Sequence, residues 1–229
     1  MIVRKTKRVV YALVVFSLFL LIFPASSMSS ETAPQEVVQA AMDGLGSFLK
    51  AIPTSDLRHY GFSDKEDLNQ ATLGKPFRVY TITPDKVLSY TPQMELFSIV
   101  SPTNLWFFPV LYRGEVRTIL TVDKMKGKWK AVAIGSSGLA RQLKKVEDKW
   151  PESEGYEHKF VRIYQARSDF VILSKEGTVE VTPLESARIA LKIEKIREGV
   201  YGLYSPSDII PKLIPIVRQN VRSGGTIER

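Results

Sequence analysis

The chain has 229 residues and a formal net charge of +8, with no cysteine and two histidines, His59 and His158. The absence of cysteine excludes thiol catalysis, thiolate metal sites and disulfides, and two histidines leave little material for an imidazole-based metal site. The length suffices for one domain with a sizeable core, or for two small ones.

Residues 1–27 have the three-part pattern of a secretory signal peptide. Four basic residues stand within the first eight positions, and Val9 to Phe23 is a run of fifteen almost wholly apolar residues. Pro24 and the small residues Ala25-Ser26-Ser27 complete the pattern of a cleavage site. We therefore predict a secreted or periplasmic protein. The alternative is an uncleaved signal-anchor that tethers the protein to a membrane, but fifteen apolar residues are short of the roughly 20 that a spanning helix needs.

The basic signal segment also changes how the net charge is interpreted. It carries half of the +8, so cleavage would leave a mature chain with a modest charge. We therefore expect no nucleic-acid partner. The remaining positive charge is concentrated in residues 75–149, which have a net charge of +7.

The mature chain begins with a predicted amphipathic helix between Pro34 and Pro53, because apolar residues recur there at spacings of three and four. Two glycines, Gly44 and Gly46, are expected to weaken this helix by roughly 1 kcal/mol each. The sequence Ser63-Asp64-Lys65-Glu66 matches a capping box and predicts a second, short helix.

Strand-like segments follow after Gly74. They are rich in β-branched and aromatic residues and are separated by Gly- and Pro-containing turns: Phe77–Ile82, Leu96–Val100, Leu105–Tyr112, Val116–Met125 and Trp129–Ile134. The last three predict an antiparallel meander, in which Pro109 is expected at a sheet edge or a bulge. A helix with Leu139, Leu143, Val146 and Trp150 on its apolar face follows the meander.

The last eighty residues repeat the strand-then-helix order. Three strands are predicted at Lys159–Ala166, Phe170–Leu173 and Thr178–Val181, then a helix from the capping box Thr182-Pro183-Leu184-Glu185, and a final helix over Ser205–Val221. The fold class is therefore α+β, an antiparallel meander flanked by helices. We predict a first α+β domain over residues 28–150 and a smaller C-terminal α+β segment over residues 151–229, packed on the first or separate from it.

No catalytic, metal-binding or cofactor-binding motif stands out. Gly135-Ser136-Ser137-Gly138 lacks the spacing of a nucleophile elbow, so it predicts a glycine turn and a serine helix cap. Glu154, Glu157 and His158 are close in sequence without metal-ligand spacing, and we interpret them as a solvated polar linker.

The candidate binding site is a basic hairpin formed by Lys124, Lys126, Lys128 and Lys130 around Trp129. Strand alternation predicts the four lysines on one face and the tryptophan on the other. Such a row could contact an anionic surface, although lysines on an edge strand also commonly protect a sheet against aggregation.

These features predict an exported, non-catalytic binding or accessory module of the cell envelope, whose partner is a protein or an anionic envelope component. The alternative is a small secreted hydrolase whose carboxylates or serines are brought together only by folding. That alternative predicts a concave pocket that contains titratable groups with shifted pKa values.

Overall fold

The computed structural model describes residues 31–193 and 202–223; the predicted signal segment lies outside these residues. The helices are α1 (Gln35–Lys50), α2 (Lys65–Asn69), α3 (Pro84–Leu88), α4 (Leu96–Ile99), α5 (Ser137–Lys149), α6 (Glu185–Leu191) and α7 (Pro206–Arg222). The strands are β1 (Thr72–Leu73), β2 (Phe77–Ile82), β3 (Val100–Tyr112), β4 (Glu115–Met125), β5 (Lys128–Gly135), β6 (Glu157–Ile163), β7 (Ser168–Lys175) and β8 (Thr178–Pro183). Short 3-10 helices lie at Thr54–Tyr60, Glu152–Glu154 and Tyr164–Ala166.

The predicted fold class is confirmed: a mostly antiparallel sheet is flanked by helices. Seven strands follow the order β5-β4-β3-β2-β6-β7-β8, and β1 pairs with the end of β3. The predicted meander is β3-β4-β5, joined by short turns. One pairing is parallel: β2 lies beside β6 with Val79 opposite Phe160. This pairing places strands from before and after residue 150 in one continuous sheet. The division into two units at residue 150 stays a prediction.

Helices cover both faces of the meander because successive strand residues point to opposite sides. Phe108, Leu120 and Val122 pack with α1 in one buried cluster. Phe107 and Ile119, their neighbours along the strands, pack with α5 in another. Trp106, Phe107 and Phe108 are all at most 5 % exposed and belong to the core.

A third apolar cluster joins strands β6, β7 and β8 to α3, α4 and α7, so it contains residues from both halves of the chain. The final helix, α7, packs on this cluster. Ile209, Ile210, Leu213 and Val217 are buried, although two prolines lie within the helix. Val221, near the end of the helix, is 46 % exposed.

Two local predictions were wrong. The segment expected as a strand from Leu96 is α4, a single turn whose Leu96 and Ile99 are buried three residues apart. An apolar run this short does not distinguish a helix from a strand by periodicity. The box at Thr182 does not cap α6. Thr182 and Pro183 are still in β8, and Leu184 is the N-cap residue without a side-chain cap bond.

Pro109 was expected at a sheet edge or a bulge; it lies in β3, an interior strand, next to an irregularity of the β3–β4 pairing. Its carbonyl accepts a hydrogen bond of 2.7 Å from the backbone N–H of Gly74. The backbone N and O atoms of a strand residue point to the same side of the strand. The nitrogen of Pro109, which carries no hydrogen, therefore also faces residues 74–76, which lie between the end of β1 and the start of β2. A register shift follows at Val110 and Leu111. The interior strand therefore accepts a proline where its neighbouring strand is interrupted.

Candidate functional site

The predicted basic hairpin is a two-residue connection between β4 and β5 at the edge of the sheet. Lys126 and Gly127 occupy the turn with φ values of 49° and 81°. Two consecutive positive φ values belong to the tight turns that match the twist of antiparallel strands, and glycine at the second position adopts such a value without strain. The side chains of Lys124, Lys126, Lys128 and Lys130 are all exposed.

The four lysines do not share one face, so the alternation prediction was wrong. In a hairpin with a two-residue loop, Met125 pairs with Lys128 and Lys124 pairs with Trp129. At this end of the hairpin, even-numbered residues of β4 therefore share a face with odd-numbered residues of β5. The Lys124 ammonium lies 5.6 Å from the centroid of the Trp129 ring, on the side of α1. Lys128 and Lys130 lie on the other side, with Lys126 at the tip, so the positive charge surrounds the end of the hairpin.

Few acidic groups offset this charge. Asp123 is opposite Lys130 in the register, and its carboxylate accepts a 2.7 Å hydrogen bond from the backbone N–H of Lys124. The hairpin from Asp123 to Lys130 thus has four basic side chains and one acidic side chain. This arrangement can attract an anionic surface from several directions, because charge at the tip is not confined to one plane.

A second candidate site was not found from the sequence. A cavity of about 320 Å³ opens between α5 and the sheet, next to the segment between β1 and β2. Apolar side chains form much of its wall, including Phe77, Ile119, Leu143, Val146, Phe160 and Val171. Charged side chains also line it: Lys75, Arg78, Lys144, Lys159, Glu31, Glu147 and Glu152.

His158 lines this cavity, which corrects the interpretation of residues 154–158 as a solvated linker. Glu157 and His158 belong to β6, and the pairing of Val79 with Phe160 places His158 level with Phe77 at the start of β2. Burial lowers the pKa of the His158 imidazole, and the hydrogen bond with the Trp150 carbonyl only partly opposes this effect. The Nε2 atom is buried and has no hydrogen-bond partner. A neutral imidazole is therefore the form that this site favours.

A carboxylate is bound on the face of β2 that points away from α5, where Arg78 pairs with Trp106 and Tyr80 pairs with Val161. Glu31, in the segment before α1, accepts a hydrogen bond from Arg78 Nη1 at 2.5 Å and from the Tyr80 hydroxyl at 2.7 Å. Arg78 Nε donates to the Thr103 carbonyl at 2.7 Å, which holds the guanidinium in place. Burial and the bond to Glu31 raise the pKa of the Tyr80 hydroxyl, so it remains a protonated donor.

Other charged groups around the cavity form ion pairs. Lys75 and Glu152 are 2.5 Å apart and connect the segment before β2 with the 3-10 helix before β6. The Lys144 ammonium is paired with Asp148, one turn further along α5. Lys159 lies with its ammonium 4.8 Å from the centroid of the Tyr80 ring. No carboxylate of the described ranges lies within ion-pair distance of Lys159.

The serines near α5 have a structural role that differs from the predicted cap. Ser136 is the N-cap residue, but it has a left-handed backbone and makes no side-chain cap bond. Ser137 Oγ instead donates to the His59 carbonyl at 2.6 Å. That bond ties the start of α5 to the segment after α1. No serine, threonine or cysteine is among the residues that line the cavity.

The described ranges contain no cluster of three or more histidine, aspartate or glutamate residues that could hold a metal ion. Within residues 31–193 and 202–223, none of the helices has the length and apolar character that crossing a bilayer requires. Comparisons of the chain with protein-family models, with curated proteins and with solved structures return no match. The assignment of function therefore depends on the geometry of this chain's own residues.

Proposed function

We propose that this protein is an exported, non-catalytic binding module of the cell envelope, and that it contacts its partner through the basic hairpin. The observation that supports this proposal is the cluster of Lys124, Lys126, Lys128 and Lys130 at the exposed edge of the sheet, with Asp123 as the one acidic neighbour in the hairpin. The partner is a protein or an anionic envelope component. The charge of the hairpin favours the anionic component.

The strength of such a contact follows from surface electrostatics. Each lysine held near an anionic membrane surface contributes about 1 kcal/mol, and the attraction falls off within roughly 10 Å at 0.1 M salt. Four lysines on a short hairpin are close enough to act together. Because their side chains are already exposed, binding does not require the fold to open.

The experiment is sedimentation with vesicles that contain phosphatidylglycerol, compared with vesicles of phosphatidylcholine alone. The hairpin variant carries Lys→Gln at positions 124, 126, 128 and 130. A dispersed variant has the same net charge, with Lys→Gln at four other exposed positions, Lys50, Lys65, Lys145 and Lys212. We expect the hairpin variant to bind anionic vesicles at least tenfold more weakly than the parent, and the dispersed variant to lose much less. Equal losses would mean that net charge alone drives association, and would contradict the proposal.

Export has its own test. If the signal is cleaved, the mass of the protein from the native envelope or medium will correspond to a chain that begins after residue 27. An intact N-terminus on membrane-bound protein would instead support the signal-anchor.

One observation keeps the hydrolase as a second candidate. The cavity brings His158, with its lowered pKa, into a wall that also contains Glu147 and Glu152. A titratable group with a shifted pKa in a cleft is a candidate general acid or base. Turnover of ester, peptide or glycoside substrates that Glu147→Gln abolishes without loss of folding would favour the hydrolase. The absence of turnover across the panel would leave the binding module.

A further inference from the structure

The strongest unassigned feature is an exposed apolar residue at the end of the basic hairpin. Met125 is the last residue of β4, and it is 48 % exposed. It pairs with Lys128 across the hairpin and precedes Lys126 of the turn. Side chains of directly opposite strand residues share a face, with Cβ atoms about 4.5–5.5 Å apart. The hairpin therefore places an apolar side chain among its lysines.

The lysines surround this methionine from both faces of the hairpin. Lys124 lies against the Trp129 ring on the side of α1, whereas Lys128 and Lys130 lie on the other side. An amphipathic element that lies flat on a membrane has its basic residues along one polar face. Positive charge on both faces and at the tip instead suits an element that meets a surface end-on.

The combination of lysines with a methionine favours a lipid bilayer over other anionic partners. Lysines alone would suit an acidic polysaccharide equally well, but such a polymer has no apolar layer. A bilayer has both parts, because anionic headgroups attract lysines and the acyl layer beneath them accepts an apolar side chain. Lysine side chains can keep their ammonium groups at the headgroups while their methylenes lie along apolar surface. Met125 and Lys126, which are adjacent in the chain, match these two layers.

We propose that the basic hairpin inserts end-on into the headgroup region of an anionic phospholipid bilayer, with Met125 reaching the top of the acyl layer. This inference rests on the proposed function of the hairpin, to which it adds the class of partner and the orientation of the contact. Amphipathic elements enter this region by about 5–10 Å. Val132 of β5 is also exposed, but it lies about 13 Å along the strand from Lys128. Val132 therefore stays outside the bilayer.

The first test measures sedimentation with phosphatidylglycerol vesicles for variants that keep the charge of the parent. Met125→Gln should weaken binding about three- to tenfold, because a half-exposed apolar side chain can still lose part of its contact with water. Val132→Thr and Val221→Thr are the matched controls and should bind like the parent. Val221 lies on α7 and is 46 % exposed, almost as much as Met125. All of the variants have the same N-terminus, so any contribution of the apolar segment Val9 to Phe23 is common to them.

A second measurement reports insertion directly. The chain has no cysteine, so Met125→Cys, Val132→Cys and Val221→Cys each provide a single attachment site for an environment-sensitive fluorophore. Phosphatidylglycerol vesicles should shift the emission of the label at position 125 to the blue, because the label enters an apolar layer. The labels at positions 132 and 221 should shift much less. Dextran sulfate, an anionic polymer without an acyl layer, should shift none of the three labels.

The outcomes distinguish this inference from the proposed function on which it rests. If Met125→Gln binds like the parent, or if the label at position 125 shows no blue shift, insertion is overturned while an electrostatic contact of the lysines remains. Equal losses for Met125→Gln and Val132→Thr would overturn the end-on orientation. Equal losses for the hairpin and dispersed Lys→Gln variants would contradict the proposed function itself, and insertion with it. A parent protein that binds a protein partner but no anionic vesicles would overturn the assignment to lipid.

Discussion

Gly44 of α1 lies directly against Ala131 of β5. A Cβ atom added at Gly44 would be 2.3 Å from the Cβ of Ala131, far inside van der Waals contact. The glycine therefore allows the first helix to approach the edge strand of the sheet, next to the basic hairpin. At Gly46, two residues further on, an added Cβ would meet nothing within 4 Å.

This difference predicts opposite effects for two identical substitutions. Gly46→Ala should stabilise the protein by about 0.5–1 kcal/mol, because alanine favours the helix and no neighbour opposes it. Gly44→Ala gains the same helix propensity, but it forces α1 and β5 apart, and it should destabilise the protein by about 1–3 kcal/mol. Urea denaturation of both variants measures the difference. Stabilisation by Gly44→Ala would show that the helix shifts without cost.

The sequence predicted α1, but it suggested only that both glycines weaken the helix. Helix propensity contains no information on which strand packs against the helix. The apolar spacing from Val37 to Ile52 was sufficient to place the helix. Gly44 is needed because its helix packs against Ala131, which is nearly ninety residues further along the chain. Local patterns likewise predicted the meander, whereas the parallel pairing of β2 with β6 is a long-range contact that no local pattern indicates.

The pair Arg162–Asp169 connects neighbouring strands β6 and β7 with two hydrogen bonds. Nε donates to Oδ1 at 2.7 Å and Nη2 to Oδ2 at 2.9 Å, and the guanidinium lies 5.5 Å from the centroid of the Phe160 ring. Because the Asp169 side chain is only 13 % exposed, Asp169→Asn should destabilise the protein by about 1.5–3 kcal/mol.

The exposed pair Lys75–Glu152 is the matched control for this prediction. Its side chains are 63 % and 46 % exposed, so Glu152→Gln should change the free energy of unfolding by about 1 kcal/mol or less. Chemical denaturation of both variants tests the contrast. Equal effects would mean that burial does not strengthen the Arg162 pair.

The hydrogen bonds of Asp67 lead us to expect that the stability of the protein decreases at acidic pH. It lies at the third position of α2, in a reciprocal capping box with Asp64, one residue later than the Ser63–Glu66 box expected from sequence. Its Oδ2 accepts hydrogen bonds from the backbone N–H groups of Ser63 and Asp64. The hydrogen bond from the Tyr112 hydroxyl, followed by the one from Ser63, lowers the pKa of the Asp67 carboxyl.

A carboxyl with a lowered pKa in the folded state stabilises the protein above its unfolded pKa of about 4, and this contribution disappears as the pH falls through the folded value. Asp67→Asn should therefore reduce stability at pH 7 and flatten the loss of stability below about pH 4. Thermal unfolding over that range measures the effect. Asp43→Asn, at an exposed position of α1, should leave the acid profile unchanged.

The candidate sites show why sequence alone predicted one surface and missed another. Four lysines within seven residues stand out in the sequence, although the two-residue turn that distributes them to both faces was not taken into account. Glu31, Arg78 and Tyr80 come together only because β2 lies in the middle of the sheet and the segment before α1 reaches it. Glu31 is almost fifty residues away from the other two in sequence, so no local pattern indicates the contact.

The burial of His158 leads us to expect a second decrease of stability with falling pH, this time close to neutrality. Burial lowers the pKa of its imidazole in the folded protein, whereas the unfolded chain binds a proton near the ordinary value of about 6.5. The unfolded state therefore takes up the proton first as the pH falls, and the free energy of unfolding should decrease from about pH 6.5 downward. His158→Gln should remove that part of the slope, and His59→Gln, at an exposed position, should retain it. Urea denaturation at several pH values between about 7.5 and 5 measures the slopes. An unchanged slope in His158→Gln would show that this imidazole titrates alike in both states, and would remove the evidence for a neutral histidine in the cavity wall.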